Sequence, residues 1–162
     1  MRVYSVGHNL SGYMPESDIY LSTDIEHALD ALKDDLESAV DHYLDGAIIA
    51  LDSGEYDCGD DTESRLREAA DSGDTSTIRE LVADGIMRDA LLEYADLLDA
   101  IDVVASARAD GDARYWIQYG SGFSVDVGPM TYWIQRVDDL SDMDDDTRAQ
   151  LEEEGSAVIY GA

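Results

Sequence analysis

The stretch "ARYWIQYGSGFSVDVGPMTYWIQRVD", residues 113–138, decides the fold class that this sequence predicts. Its apolar residues alternate with polar ones at a period of two, as in a β-strand that buries one face. The alternating set is Tyr115, Ile117, Tyr119, Phe123, Val125, Val127, Tyr132 and Ile134. Turn residues at 120–122 and 128–129 divide the stretch, which therefore predicts a three-stranded antiparallel meander.

The tetrapeptide "YWIQ" occurs twice in this stretch, at 115–118 and at 132–135. Two copies in one meander predict equivalent strand faces rather than a repeat architecture, whose units need at least about 20 residues. Trp116 and Trp133 would then lie opposite the buried isoleucines. They are expected to form an aromatic pair on the less buried face of the sheet, covered by a helix or a partner, although core packing is the commoner role of such pairs.

The rest of the chain is mostly helical in pattern. From Thr23 or Asp24, apolar residues recur at three- and four-residue steps, which predicts an amphipathic helix that stops at Gly46. The other predicted elements are helices at about 62–72, 75–83 (capped by Asp74 or Thr75), 87–108 and 144–154, and strands at 2–7 and 156–160.

Together these elements predict an α+β fold. A small antiparallel sheet, made of the three-stranded meander plus the terminal strands, is packed with two long and several short helices. The length favours a single domain, 1–162, within which 46–86 is a candidate helical insertion.

The composition indicates a folded but strongly acidic protein. The formal net charge is −28, from 38 acidic and 10 basic residues, and 44% of the residues are hydrophobic. Such a surface repels nucleic acid and anionic membranes and attracts basic proteins, so we expect neither direct nucleic-acid binding nor membrane binding. The sequence contains no apolar run of membrane-spanning length and no signal-peptide pattern. We therefore expect a protein of a reducing cytoplasm.

The acidic residues fall in regular rows on the two long predicted helices and in the segment 138–155. Carboxylates four residues apart on a helix lie about 6 Å apart along its axis, which is similar to the spacing of phosphates along a nucleic-acid strand. Like charges at this spacing cost about 0.2–0.5 kcal/mol per pair, so folding stability does not explain them. The candidate partner-binding residues are Glu26, Asp30, Asp34, Glu37, Asp41, Asp89, Glu93, Asp96, Asp142, Asp144, Asp145 and Asp146.

Two interpretations of these rows stay open. In the first, the carboxylates mimic phosphates and occupy the basic groove of a protein that normally holds DNA or RNA. In the second, the acids only solvate the surface, for solubility or for a high-salt cytoplasm.

The acidic segment also resembles a calcium-binding loop in its spacing. Residues 142–153 place oxygen ligands at most of the EF-hand positions, but Thr147 stands where the sharp turn needs glycine. Ser141 and Asp144 instead form the pattern of a helix capping box, so we expect a helix start and no metal.

No group of residues in the sequence indicates catalysis or a cofactor. His8, His27 and His42 are too dispersed for a catalytic or metal site, and His27 and His42 are expected at the surface. Cys58 is the single cysteine, which excludes a disulfide framework and a cysteine-based zinc site. Its acidic neighbours disfavour the thiolate. We expect no enzyme, no catalytic residue and no cofactor.

Two segments carry a resemblance to a group of known proteins. Residues 4–32, "YSVGHNLSGYMPESDIYLSTDIEHALDAL", and 131–139, "TYWIQRVDD", resemble small acidic proteins encoded by phages of actinobacteria. The resemblance covers about a third of the chain and implies a phage origin and a location in the host cytoplasm. It implies no activity, because that group has none assigned.

Three functions follow as hypotheses. The preferred one is a non-enzymatic phage-type inhibitor, against CRISPR or restriction for example, which occupies the DNA- or RNA-binding groove of a basic host protein. The alternative is a protein-interaction module that binds a host or phage partner through its sheet face. A cation-dependent hydrolase that uses the acid clusters is the third.

Overall fold

A computed structural model of the chain describes residues 1–10, 18–87 and 91–160. In chain order the elements are β1 (Val3–Leu10), β2 (Ile19–Ser22), α1 (Ile25–Asp52), α2 (Asp60–Ser72), α3 (Thr75–Ala83), α4 (Leu92–Asp110), α5 (Asp112–Tyr119), β3 (Phe123–Val127), β4 (Met130–Val137), α6 (Asp145–Glu154) and β5 (Ser156–Ile159). Helices together with one antiparallel sheet confirm the predicted α+β class.

The chain divides into two compact units. The first, called the sheet unit here, consists of Met1–Leu36 and Ala100–Ala162, and the second, the helical unit, of Glu37–Asp99. The range 46–86 falls within the helical unit, and its status as an insertion into a single domain stays a prediction.

The sheet has the strand order β3-β4-β1-β2-β5, and every neighbouring pair is antiparallel. Strand β1 is central and pairs with β4 from Val3↔Val137 to Leu10↔Met130. The terminal strands join the sheet as predicted. The sequence pattern missed β2, which lies between β1 and β5 and so connects the C-terminal strand to the rest.

The first strand of the predicted meander is wrong, because residues 112–119 form helix α5. Ala113 and Ile117 are buried one helical turn apart, and this four-residue spacing outweighs the short two-residue alternation. Gly111, with a φ of 86°, precedes the helix in a conformation that favours glycine. Only the hairpin of β3 and β4 remains of the meander.

The core of the sheet unit joins strands and helices. One cluster takes one residue from each of β1, β2, α6 and β5: Val3, Leu21, Leu151 and Ala157. The N-terminal part of α1 buries residues at three- and four-residue steps: Ile25, Ala28, Leu29, Leu32 and Leu36. Burying a large aliphatic side chain contributes roughly 1.5–3 kcal/mol, so these stripes hold the elements in place.

The helical unit contains the continuation of α1. The predicted stop at Gly46 is wrong, since α1 continues to Asp52. Ala47, Ala50 and Leu51 continue the buried stripe past the glycine, and this burial offsets the low helix propensity of one residue. The predicted short helices are confirmed as α2 and α3, and Asp74 caps α3 by accepting a hydrogen bond from the Thr77 backbone N–H at 3.1 Å.

Helix α4 begins at Leu92, five residues after the predicted start of the second long helix. Its buried positions include Tyr94, Leu97 and Ala100, and Leu91 is buried just before it. Ile101 is only half-buried.

Candidate partner-binding surface

The first two acids predicted on the first long helix, Glu26 and Asp30, do not display their charge freely. Arg108 donates to Glu26 Oε2 at 2.9 Å and to Asp30 Oδ1 at 2.7 Å, and Arg114 reaches Glu26 Oε1 at 3.2 Å. The hydrogen bonds that Arg108 donates to Asp30 and Glu26 raise the pKa of its guanidinium. Two of the predicted partner-binding acids therefore help to hold α1 against α4 and α5 inside the sheet unit.

The acids further along α1 are exposed. In the sheet unit, Asp34 is exposed and has no basic side chain within ion-pair distance among the described residues. In the helical unit, Glu37, Asp41 and Asp45 are exposed at steps of four residues, and we call these three residues the α1 row. They span about 12 Å along the helix axis.

Two members of the α1 row are uncompensated. In the part of the chain that the structure describes, no lysine or arginine lies within 4.0 Å of Asp41 or Asp45. The sequence prediction missed Asp45, because it ended the helix next to this residue. The signal that could have found it is the apolar stripe of Ala47, Ala50 and Leu51 beyond the glycine.

The acids predicted on the second long helix have different environments. Asp89 lies outside the described residues. Glu93 is half-buried and accepts a hydrogen bond from the Tyr43 hydroxyl, so its carboxylate has a structural contact within the helical unit. Asp96 is exposed on α4. Of the two described acids, only Asp96 is available as a surface charge.

The acidic segment starts α6. Asp144 is the N-cap: its carboxylate accepts hydrogen bonds from the Thr147 backbone N–H at 2.8 Å and from the Thr147 hydroxyl at 2.7 Å. These bonds hold the pKa of Asp144 below its ordinary value. The helix start was predicted correctly, but Ser141 is not its cap; the Ser141 N–H donates to Asp139 instead.

The remaining acids of this segment lie at the surface. Asp145 and Asp146 occupy the first turn of α6, where the helix dipole favours negative charge, and Asp142 is exposed before it. The structure therefore assigns Asp144 a capping role, and it leaves Asp142, Asp145 and Asp146 as exposed charges.

Most of the described arginine side chains form ion pairs with carboxylates. The ion pairs are Arg65–Glu80, Arg67–Asp52, Arg67–Glu63, Arg79–Asp99, Arg108–Glu26, Arg108–Asp30, Arg114–Glu26 and Arg136–Asp138. These eight pairs engage seven of the 38 carboxylates. What is left exposed is almost entirely negative.

The predicted tryptophan pair is wrong. Trp116 lies on α5 and is 52% exposed, whereas Trp133 lies on β4 and donates its indole N–H to the Asn9 side chain at 2.7 Å. Trp116 instead contacts Tyr115 edge to face, with ring centroids 5.8 Å apart, and Tyr115 in turn lies 5.5 Å from Tyr119. We call Tyr115, Trp116 and Tyr119 the α5 aromatic surface.

Histidines and the cysteine form no reactive group. His27 and His42 are exposed, as expected. His8 Nδ1 lies 2.7 Å from Asp35 Oδ2, and its ring packs against Tyr132 with centroids 5.0 Å apart. Burial, with a smaller effect of Glu63, raises the pKa of the Cys58 thiol, which agrees with the predicted disfavoured thiolate.

The described residues also bear on metal binding and on membrane insertion. No group of three or more His, Cys, Asp or Glu side chains there could hold a metal ion. Among the described helices, none has the length and apolar character needed to cross a membrane.

Comparison with known proteins assigns this chain to no family. No family model, no curated protein and no solved structure matches this chain.

Proposed function

We propose that this protein is a non-enzymatic acidic inhibitor, which mimics the phosphates of a nucleic acid and occupies the DNA- or RNA-binding groove of a basic partner. The observation that carries the proposal is the α1 row. It places Glu37, Asp41 and Asp45 on one face of a helix at a spacing of about 6 Å per step.

The energetics of the row support a functional reason for it. Each like-charge pair at four-residue spacing costs about 0.2–0.5 kcal/mol, and a lysine at either position would remove this cost. The chain has ten basic residues, and six of its arginines form ion pairs with other acids. Asp41 and Asp45 are left without such a pair.

The partner that fits this surface is a basic nucleic-acid-binding protein. A net charge of −28 steers a positively charged groove toward the surface, and contact releases the counterions of both proteins. The resemblance of residues 4–32 and 131–139 to phage proteins is the reason to propose a host defence or DNA-processing protein as this partner.

The test starts with capture of proteins from an actinobacterial lysate on the immobilised protein. We expect the retained proteins to be nucleic-acid-binding, to elute as salt rises from about 0.1 M to about 1 M, and to be displaced by duplex DNA or RNA. Retained proteins that resist both salt and nucleic acid would contradict the proposal.

Charge reversal then tests the row itself. Changing Glu37, Asp41 and Asp45 to Lys should abolish capture, and the same changes at Glu68, Asp71 and Glu152, which are exposed on α2 and α6, should leave most of it. The two triple variants have equal net charge. Equal loss in both would show that the acids act only through overall charge.

One observation favours a second function, a protein-interaction module. The α5 aromatic surface is 52–73% exposed, and clustered exposed aromatic side chains are typical of binding hot spots. This replaces the predicted sheet face with a helix face. Salt-insensitive capture that is lost in the Trp116→Ala variant would favour this module over the phosphate mimic.

A further inference from the structure

A pocket of about 360 Å³ opens in the helical unit, close in sequence to the α1 row. Its volume is at the lower end of the range for small-molecule sites. The lining residues are His42, Tyr43, Gly46, Ala50, Glu55 and Tyr56. Nothing in the function proposed above uses these aromatic residues.

The end of α1 builds the pocket by folding back on itself. The Ala50 carbonyl oxygen accepts hydrogen bonds from the Ser53 hydroxyl at 3.1 Å and from the backbone N–H groups of Glu55 at 3.1 Å and Tyr56 at 3.4 Å. These bonds fix the turn after the helix. They bring Glu55 and Tyr56 to the same pocket as His42 and Tyr43, which lie two turns earlier on α1.

Gly46 keeps one wall of the pocket open. A Cβ atom at this position would have no heavy atom within 4 Å, so the fold does not require glycine there. Glycine inside a helix is less favourable than alanine. The structure therefore gives Gly46 no packing role, and its effect is to leave the space above the helix free.

The chemistry of the lining favours a cation. Tyrosine rings attract cations through the negative faces of their π systems, and the Glu55 carboxylate adds a full charge. The C-terminal end of α1 contributes the negative end of the helix dipole, and its last turn contains no basic residue. The Tyr43 hydroxyl donates to Glu93, which holds this ring in place.

We propose that this pocket binds the guanidinium group of an arginine side chain of the partner protein. A guanidinium is flat, stacks on aromatic rings and forms paired hydrogen bonds with a carboxylate, which a lysine ammonium cannot do. The pocket would thus anchor one arginine of the partner. This inference rests on the proposed function for the identity of the partner, but not for the binding chemistry.

The test uses the purified full chain and a small probe. N-acetyl-arginine amide is titrated into the ¹⁵N-labelled protein, with N-acetyl-citrulline amide as a neutral probe of nearly the same shape. We expect saturable amide shift changes confined to residues 42–56, with a dissociation constant in the millimolar range, and at least about tenfold weaker binding of the citrulline probe. Shift changes spread over the acidic surface without saturation would overturn the proposal.

Variants of the lining separate the pocket from general charge. Glu55→Gln and Tyr56→Leu should each weaken binding of the arginine probe about threefold or more, whereas Glu68→Gln, the same charge change on α2, should not. Gly46→Phe should block the pocket, and Gly46→Ala should keep binding and raise the melting temperature. Equal affinity in Glu55→Gln and Glu68→Gln would overturn the proposal.

These measurements need no partner protein, so the two proposals fail separately. Probe binding without capture from the lysate would keep the pocket and refute the phosphate mimic. If capture depends on the α1 row but the protein does not bind the arginine probe, the phosphate mimic would stand and the pocket proposal would be refuted.

Discussion

The two copies of "YWIQ" have the same side chains but different backbone conformations. Residues 115–118 lie in α5, and residues 132–135 lie in β4. In both copies the isoleucine, Ile117 or Ile134, has no exposed surface. The first copy has Ala113 one turn before its isoleucine as a second buried residue, whereas the second copy has a paired strand on each side. The comparison shows that the neighbours of this tetrapeptide, and not its own propensity, select its backbone.

The prediction with the largest expected effect tests whether both copies of "YWIQ" contribute a buried side chain to the core. Ile134→Ala and Ile117→Ala should each destabilise the protein by about 2–5 kcal/mol, since each removes a fully buried side chain and leaves a cavity. Denaturant unfolding of the two variants measures this. A cost below about 1 kcal/mol for Ile117→Ala would break the comparison, because α5 would then contribute little to the core.

A smaller effect comes from the close contact of the second copy with β1. A Cβ atom on Gly7 would lie 2.8 Å from Cζ2 of Trp133. Gly7→Ala should therefore cost about 1–3 kcal/mol through overpacking. In a Trp133→Leu background the added cost should be smaller, because the colliding ring is gone. Purely additive costs in denaturant unfolding would contradict this contact.

The tryptophans distinguish the copies directly. Trp133→Phe should cost about 1 kcal/mol because it removes the hydrogen bond to Asn9, and Trp116→Phe should change stability by less than about 0.5 kcal/mol. The chain has two tryptophans, so each variant leaves one fluorescent reporter. Acrylamide should quench Trp116 in the Trp133→Phe variant more strongly than Trp133 in the Trp116→Phe variant. Equal quenching would show that both copies are equally exposed.

The smallest effect concerns the link between the copies. Arg136, which directly follows the second copy, donates to the backbone carbonyl of Gln118 in the first and to Asp138 at 2.5 Å. The hydrogen bond from Arg136 holds the pKa of Asp138 below its ordinary value. The contribution of this carboxylate is thus present above the ordinary aspartate pKa and is lost as the pH falls through the lowered value.

Arg136→Gln should therefore lower the melting temperature slightly at pH 7. The difference from the unsubstituted protein should shrink in acid below the lowered pKa of Asp138. Thermal melts at several pH values measure this, with Arg2→Gln, an exposed arginine outside the ion pairs of the described residues, as the control. A difference that stays constant into acid would assign the effect to the Gln118 contact alone.

The positions of the candidate acids on α1 were predictable from helical spacing. The features that the prediction missed depend on contacts between residues far apart in the sequence. The positions of Glu37 and Asp41 on the polar face of α1 follow from the apolar stripe beside them. The neutralisation of Glu26 does not, because its partner Arg108 is 82 residues away in the sequence. The pocket at the end of α1 also escaped prediction, since it depends on the turn that returns Glu55 to α1 after the glycine.

The sequence by itself determined the α+β class, the amphipathic helices and the strongly negative surface. These properties depend on composition and on local periodicity, which need no knowledge of distant contacts. Only the tertiary structure decided which copy of "YWIQ" became helix, that α1 continues past Gly46, and which carboxylates are paired with arginine. Burial and ion pairing join residues far apart in the chain, and these contacts outweigh local preferences that differ by about 1 kcal/mol or less.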